Sequence, residues 1–125
     1  MRTSTAVFLS GLFDLALALA HVAFWRLFGW PKRLAPLDTI NRGLIQVENL
    51  ALIALFALVG IALIVAAAEA PASLIGRVLL IGMALFWLAR AAVQVPYFGS
   101  APISLLLIPI ALLGAALHAL PFVLR

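Results

Sequence analysis

Leu50–Ala68, LALIALFALVGIALIVAAA, contains no charged, amide or hydroxyl side chain in nineteen residues. As a helix it would rise roughly 28 Å, close to the hydrocarbon thickness of about 30 Å that a membrane span must cross. A helix on the surface of a soluble domain keeps one polar face. This segment has none, so it predicts apolar surroundings on every side.

The rest of the chain repeats that pattern. Of its 125 residues, 67% are hydrophobic and 10% charged, against about half and about a quarter in a soluble domain. Three more apolar segments, approximately 5–28, 73–95 and 101–124, flank the central one, which extends over 43–68 in a helix starting near residue 38. Asp38, after the break at Pro36, is a good N-cap for that helix. The reading is an all-α bundle of four transmembrane helices with antiparallel neighbours, in a single membrane domain over 1–125. An N-terminal signal peptide is the competing reading of the first segment, but Asp14 interrupts its apolar run, so it reads as a retained span.

Trp30-Pro31-Lys32-Arg33, Glu69-Ala70-Pro71 and Pro96-Tyr97-Phe98-Gly99-Ser100 are expected to turn the chain between spans, and Pro109 is a candidate kink in the last. Leu37, Ile40, Leu44 and Val47 alternate with Asn41, Arg42, Gln46, Glu48 and Asn49 at helical spacing. These first turns of the second helix are expected at the membrane surface.

Arg26, Lys32, Arg33, Arg42 and Arg90 fall at one end of the spans, and Arg2, Arg77 and Arg125 at the other. Cytoplasmic loops collect Lys and Arg, which predicts both termini facing outward, in a cell membrane such as the bacterial inner membrane. The formal charge of +4 then points to anionic headgroups and not to nucleic acid. Membrane lipids, a homo-oligomer or a larger membrane partner are the expected partners. Without cysteine, thiolate metal sites and cysteine nucleophiles are excluded.

An ionisable side chain inside a span costs several kcal/mol at the bilayer centre, so each needs a partner or a route to the interface. Asp14 and His21 lie seven residues apart, nearly on one helix face and roughly 10 Å from each other. Asp14 is close to mid-membrane and reads either as a proton-binding carboxylate or as a neutral acid bonded to a neighbouring helix. Asp14, His21, Arg42, Gln46, Glu48, Asn49, Arg90, Gln94 and Tyr97 are read together as a candidate polar pocket, all but Asp14 gathering toward the cytoplasmic end. Within it a Glu48–Arg90 ion pair is expected, with Arg90 able to hold an anionic group.

His118, among Ala111, Gly114 and Ala115, is expected to be a packed histidine with one hydrogen bond. His21 and His118 fall in opposite leaflets, which excludes a bis-histidine haem. No phosphate loop, nucleophile elbow or paired-histidine zinc motif occurs, so no catalytic residue, metal ligand or cofactor is assigned.

In length, span count and an acidic residue in the first helix, the chain resembles the small multidrug resistance transporters. Asp14 stands where they carry glutamate, and their tryptophan-glycine signature is missing. That resemblance implies proton-coupled transport by an oligomer. Arg42, Gln46, Glu48 and Asn49 also resemble the start of the second helix in the membrane-associated glutathione and eicosanoid enzymes. Glu48 comes one position early, and Asn49 stands where that family has its acid. Arg90, Gln94 and Tyr97 resemble the arginine and aromatic pattern of their third helix. This second resemblance implies a trimer holding glutathione between subunits. Beside both, the residues themselves read as a small lipid-binding or ligand-binding bundle, or an accessory subunit.

Overall fold

A computed structural model describes residues 1–124. Its regular elements are all helical: α1 Thr3–Leu27, α2 Trp30–Arg33, α3 Thr39–Val65, α4 Leu74–Ala92, α5 Gln94–Phe98 and α6 Pro102–Ala119, the last running into a 3₁₀ turn at Leu120–Phe122. Four of them, α1, α3, α4 and α6, are long and apolar enough to cross a membrane.

Local chemistry sets the ends. Asp38 caps α3, its Oδ1 accepting from the backbone N–H of Ile40 at 3.0 Å and of Asn41 at 3.1 Å, while the Asn41 amide donates to Oδ2. Ser73 caps α4 by accepting from Gly76 N–H at 3.0 Å. The chain leaves α1 through Gly29, whose φ of 58° is left-handed and costs glycine least. Pro102 opens α6 at a position where its missing N–H is not needed.

Two differences from the sequence reading have local causes. α3 ends at Val65, short of residue 68, because Ala66–Ala72 form successive turns ahead of Ser73, with Ala70 N–H on Ala66 C=O at 2.8 Å. The segment around Pro96 is the short helix α5 and not an open turn; it stops at Gly99, whose φ is 69°. The amphipathic turns at 39–49 and the apolar stretch form one continuous helix from Thr39. At about 1.5 Å per residue α3 is some 40 Å long, longer than a hydrocarbon core of about 30 Å. Pro109 lies within α6 without ending it.

The Asp38 cap carries a prediction. Hydrogen bonds from Asn41, first its side chain and then its backbone, hold the Asp38 carboxyl below its ordinary value. A depressed carboxylate stabilises the folded form above its unfolded pKa of about 3.9 and loses that contribution as pH falls through the lower folded value. Protection of the Ile40 and Asn41 amides, their exchange relative to an unstructured peptide at the same pH, should therefore hold at neutral pH and fall only below about pH 4. An Asp38→Ala variant should lack that protection at every pH.

The helices pack through small residues. Gly11 of α1 faces Gly60 of α3 so closely that a Cβ on Gly11 would sit 2.7 Å from the Gly60 carbonyl oxygen. Thr3 and Ser10 of α1 donate to the carbonyls of Leu124 and Leu117, each at 2.9 Å. Trp87 of α4 lies against Gly114 of α6 and stacks on Phe56 of α3, with centroids 5.3 Å apart. Val7, Leu63, Leu80 and Ala111 join them in the core.

Outside that core the surface stays apolar. Leu19, Leu58, Val65, Leu74 and Ile75 are each at least 70% exposed. No more than 28% of any apolar span is buried inside the chain. Water would not tolerate so large a patch; an apolar outside fits a multi-pass membrane protein.

Candidate functional site

Polar side chains gather at two levels of the bundle. The deeper group is built from α1 and α6. Asp14 and His118 are fully buried, and His118 Nε2 lies 3.0 Å from Asp14 Oδ2. On its other side His118 Nδ1 is 2.8 Å from the Gly114 carbonyl oxygen. Ser10, one turn before Asp14, donates to both Ala6 and Leu117 carbonyls.

The hydrogen-bond chemistry limits the protons here. A carbonyl oxygen only accepts, so Nδ1 carries hydrogen and donates to Gly114. Nε2 and Oδ2 then share one proton, held either as imidazolium and carboxylate or as neutral imidazole and carboxylic acid. Either form leaves the pair with no net charge, which is the condition for lodging both groups in an apolar interior. Asp14 Oδ1 and Trp87 Nε1 are buried without a hydrogen-bond partner among the described residues.

Here the structure corrects the sequence reading. Asp14 and His21 share a helix face but not a partner, and His118, expected to make one hydrogen bond, makes two. The usable signal lay in Ala111, Gly114 and Ala115: a histidine beside residues that small is approachable by another helix, and Asp14 was the buried acid in search of a donor.

The shallower group lies near the α1–α3 and α4–α6 connections. His21 Nδ1 donates to Asn49 Oδ1 at 2.8 Å, and Asn49 Nδ2 returns a bond to the His21 carbonyl at 3.0 Å. A turn further out Trp25 Nε1 donates to Gln46 Oε1 at 3.4 Å, and the Gln46 amide donates to the Arg42 carbonyl. On the other side Arg90 donates to Gln94. Gln94, buried in α5, donates to Ser104 Oγ at 2.9 Å, and Ser104 donates to the Gly99 carbonyl at 2.7 Å. The Arg90 guanidinium also lies over the Phe98 ring, 4.8 Å from its centroid.

The expected Glu48–Arg90 ion pair is not formed. Asp14–His118 is the one salt bridge among the described residues. Glu48 follows Val47 on the outer side of α3 and is exposed, while Asn49 turns inward to His21; one helical step of about 100° separates the two directions. Tyr97, at 80% exposure, is directed outward from α5 and away from the candidate pocket. Arg42, Glu48, Asn49 and Arg90 therefore make no hydrogen bond or ion pair with one another within one chain. Ser104, which anchors Gln94, carried no mark in the sequence beyond its place in an apolar span.

Two grooves open on the surface. One, of about 510 Å³, is lined by Glu48, Ala51, Leu52 and Leu55. The other, of about 310 Å³, runs along the outer side of the α1–α3 seam between Leu15, Ala18, Leu19, Val22, Ile53 and Ala57. Among the described residues no three His, Cys, Asp or Glu side chains gather in a way that could hold a metal ion. No protein-family model, curated protein or solved structure matches this chain.

Proposed function

We propose that this protein is a lipid-binding four-helix bundle of a cell membrane, with antiparallel neighbouring helices and both termini on the outer side. The pairing of Gly11 with Gly60, His21 with Asn49 and Trp25 with Gln46 supports opposite directions for α1 and α3. The five cations at the α1–α3 and α4–α6 connections support placing that end in the cytoplasm.

One observation carries the function: the polar groups inside the bundle bond mainly to one another, and the two grooves face outward with mostly apolar walls. Such a molecule offers its concave surface to acyl chains and keeps its buried hydrogen bonds for holding helices together. A second reading, proton-coupled transport, is favoured by the proton shared between Asp14 and His118. It requires that pair to meet water, whereas both side chains are fully buried.

One preparation tests both readings. The protein purified in mild detergent should retain phospholipid in native mass spectra, and vesicles containing it should show no more proton leak under a pH gradient than empty vesicles. A lipid-free spectrum overturns the lipid-binding reading. Proton flux abolished by Asp14→Asn replaces it with the second.

A further inference from the structure

The groove on the α1–α3 seam has a cationic end. Leu15, Leu19 and Val22 form one stripe of α1, and Arg26, four residues after Val22, continues it. At 100° per residue Arg26 falls between Leu15 and Leu19 around the helix, about 6 Å beyond Val22 along the axis. On α3, Ile53 and Ala57 form the other wall, and Arg42 lies about three turns before Ile53 on nearly the same face. Residues 26–42 hold four cations, Arg26, Lys32, Arg33 and Arg42, against the single acid Asp38.

The level is that of a headgroup. Trp25 and Trp30 meet there with ring centroids 5.5 Å apart, and such amphipathic rings settle at the boundary between acyl chain and water. The larger groove, by contrast, has a carboxylate, Glu48, at its rim and repels an anion.

We infer that the α1–α3 groove is a binding site for an anionic phospholipid, its acyl chain lying between Leu19 and Ile53 and its phosphate held by Arg26, with Arg42 adding to the local field. The inference rests on the lipid-binding reading and adds a place and a headgroup charge to it. Charge complementarity selects the occupant: six apolar side chains line the trough, and an excess of positive charge stands at its mouth. Arg26 and Leu19 are both exposed, so both can be changed without disturbing the helix interface.

The test is a titration of the purified full chain in detergent with phosphatidylglycerol and with phosphatidylcholine of identical acyl chains, followed by native mass spectrometry. Phosphatidylglycerol should bind at least about tenfold tighter, since each basic residue near a headgroup contributes about 1 kcal/mol, roughly a fivefold change. Arg26→Gln should weaken phosphatidylglycerol about fivefold and leave phosphatidylcholine unchanged. Leu19→Trp should weaken both by crowding the trough. Arg77→Gln, at the opposite end, should weaken neither, and unchanged helical circular dichroism confirms that each variant folds. Equal binding of the two lipids, or equal losses from Arg26→Gln and Arg77→Gln, overturns the site while leaving lipid binding intact. Absence of any bound lipid overturns both.

Discussion

His118→Ala is expected to destabilise the bundle by about 3–5 kcal/mol, the range seen when one member of a buried pair is removed. Two losses combine. Asp14 keeps neither of its hydrogen-bonding options, because Oδ1 already lacks a partner and Oδ2 loses the imidazole. The fully buried ring also leaves a void that the packed α1–α6 interface fills only in part.

Asp14→Asn should be milder, since its amide still offers Nε2 a hydrogen. The combination Asp14→Leu with His118→Phe should recover much of the loss, because an apolar pair of similar volume leaves nothing to desolvate. Unfolding of the purified protein in mixed micelles by increasing sodium dodecyl sulfate measures all three, together with the single Asp14→Leu and His118→Phe changes. Coupling between positions 14 and 118 should reach about 1–3 kcal/mol. Strictly additive losses would show that the two side chains do not hold each other.

Gly11→Ala and Gly60→Ala form the second large effect, at about 1–3 kcal/mol each, as for other overpacked contacts. A Cβ on Gly11 would meet the Gly60 carbonyl at 2.7 Å and Ile64 Cγ1 at 2.8 Å; one on Gly60 would meet the Gly11 carbonyl at 2.8 Å. Two of these obstacles are backbone, so relief requires moving α1 away from α3 and with it the His21–Asn49 and Trp25–Gln46 bonds. One separation accommodates both methyl groups, so the double variant should lose less than the sum. Gly82→Ala, where nothing lies within 4 Å, should be neutral or stabilising by up to about 1 kcal/mol through helix propensity. The same micelle titration reads both, and a Gly11→Ala chain as stable as Gly82→Ala would remove the close crossing.

The helices were largely legible in the sequence because the signals that make them are local. Leu50–Ala68 has no polar atom beyond its backbone, and a backbone in hydrocarbon must satisfy itself as a helix. Asp38 and Ser73 caps, and the breaks near Pro31 and Pro71, act within a few residues of where they stand. The misplaced ends share that logic in reverse: Ala66–Ala68 are helix-compatible but follow the turns that precede Pro71, and Gln94–Phe98 close a helical turn around a proline that reads as a breaker.

Partner choice was much less legible. Which acid meets which base depends on helix rotation and axial register, and an apolar surface sets these through the fit of Gly11 to Gly60 and Trp87 to Gly114, not through the charges. Asp14 found His118 across a separation of 104 residues. Glu48 and Arg90, though placed at one level by counting, are turned apart. Sequence alone therefore determined that this chain forms four greasy helices with few polar atoms among them, because the length and uniformity of an apolar run are properties of neighbouring residues. The tertiary structure decided which of those atoms share a proton and which face outward, because a rotation of about 100° per residue makes every such meeting depend on how whole helices settle against each other.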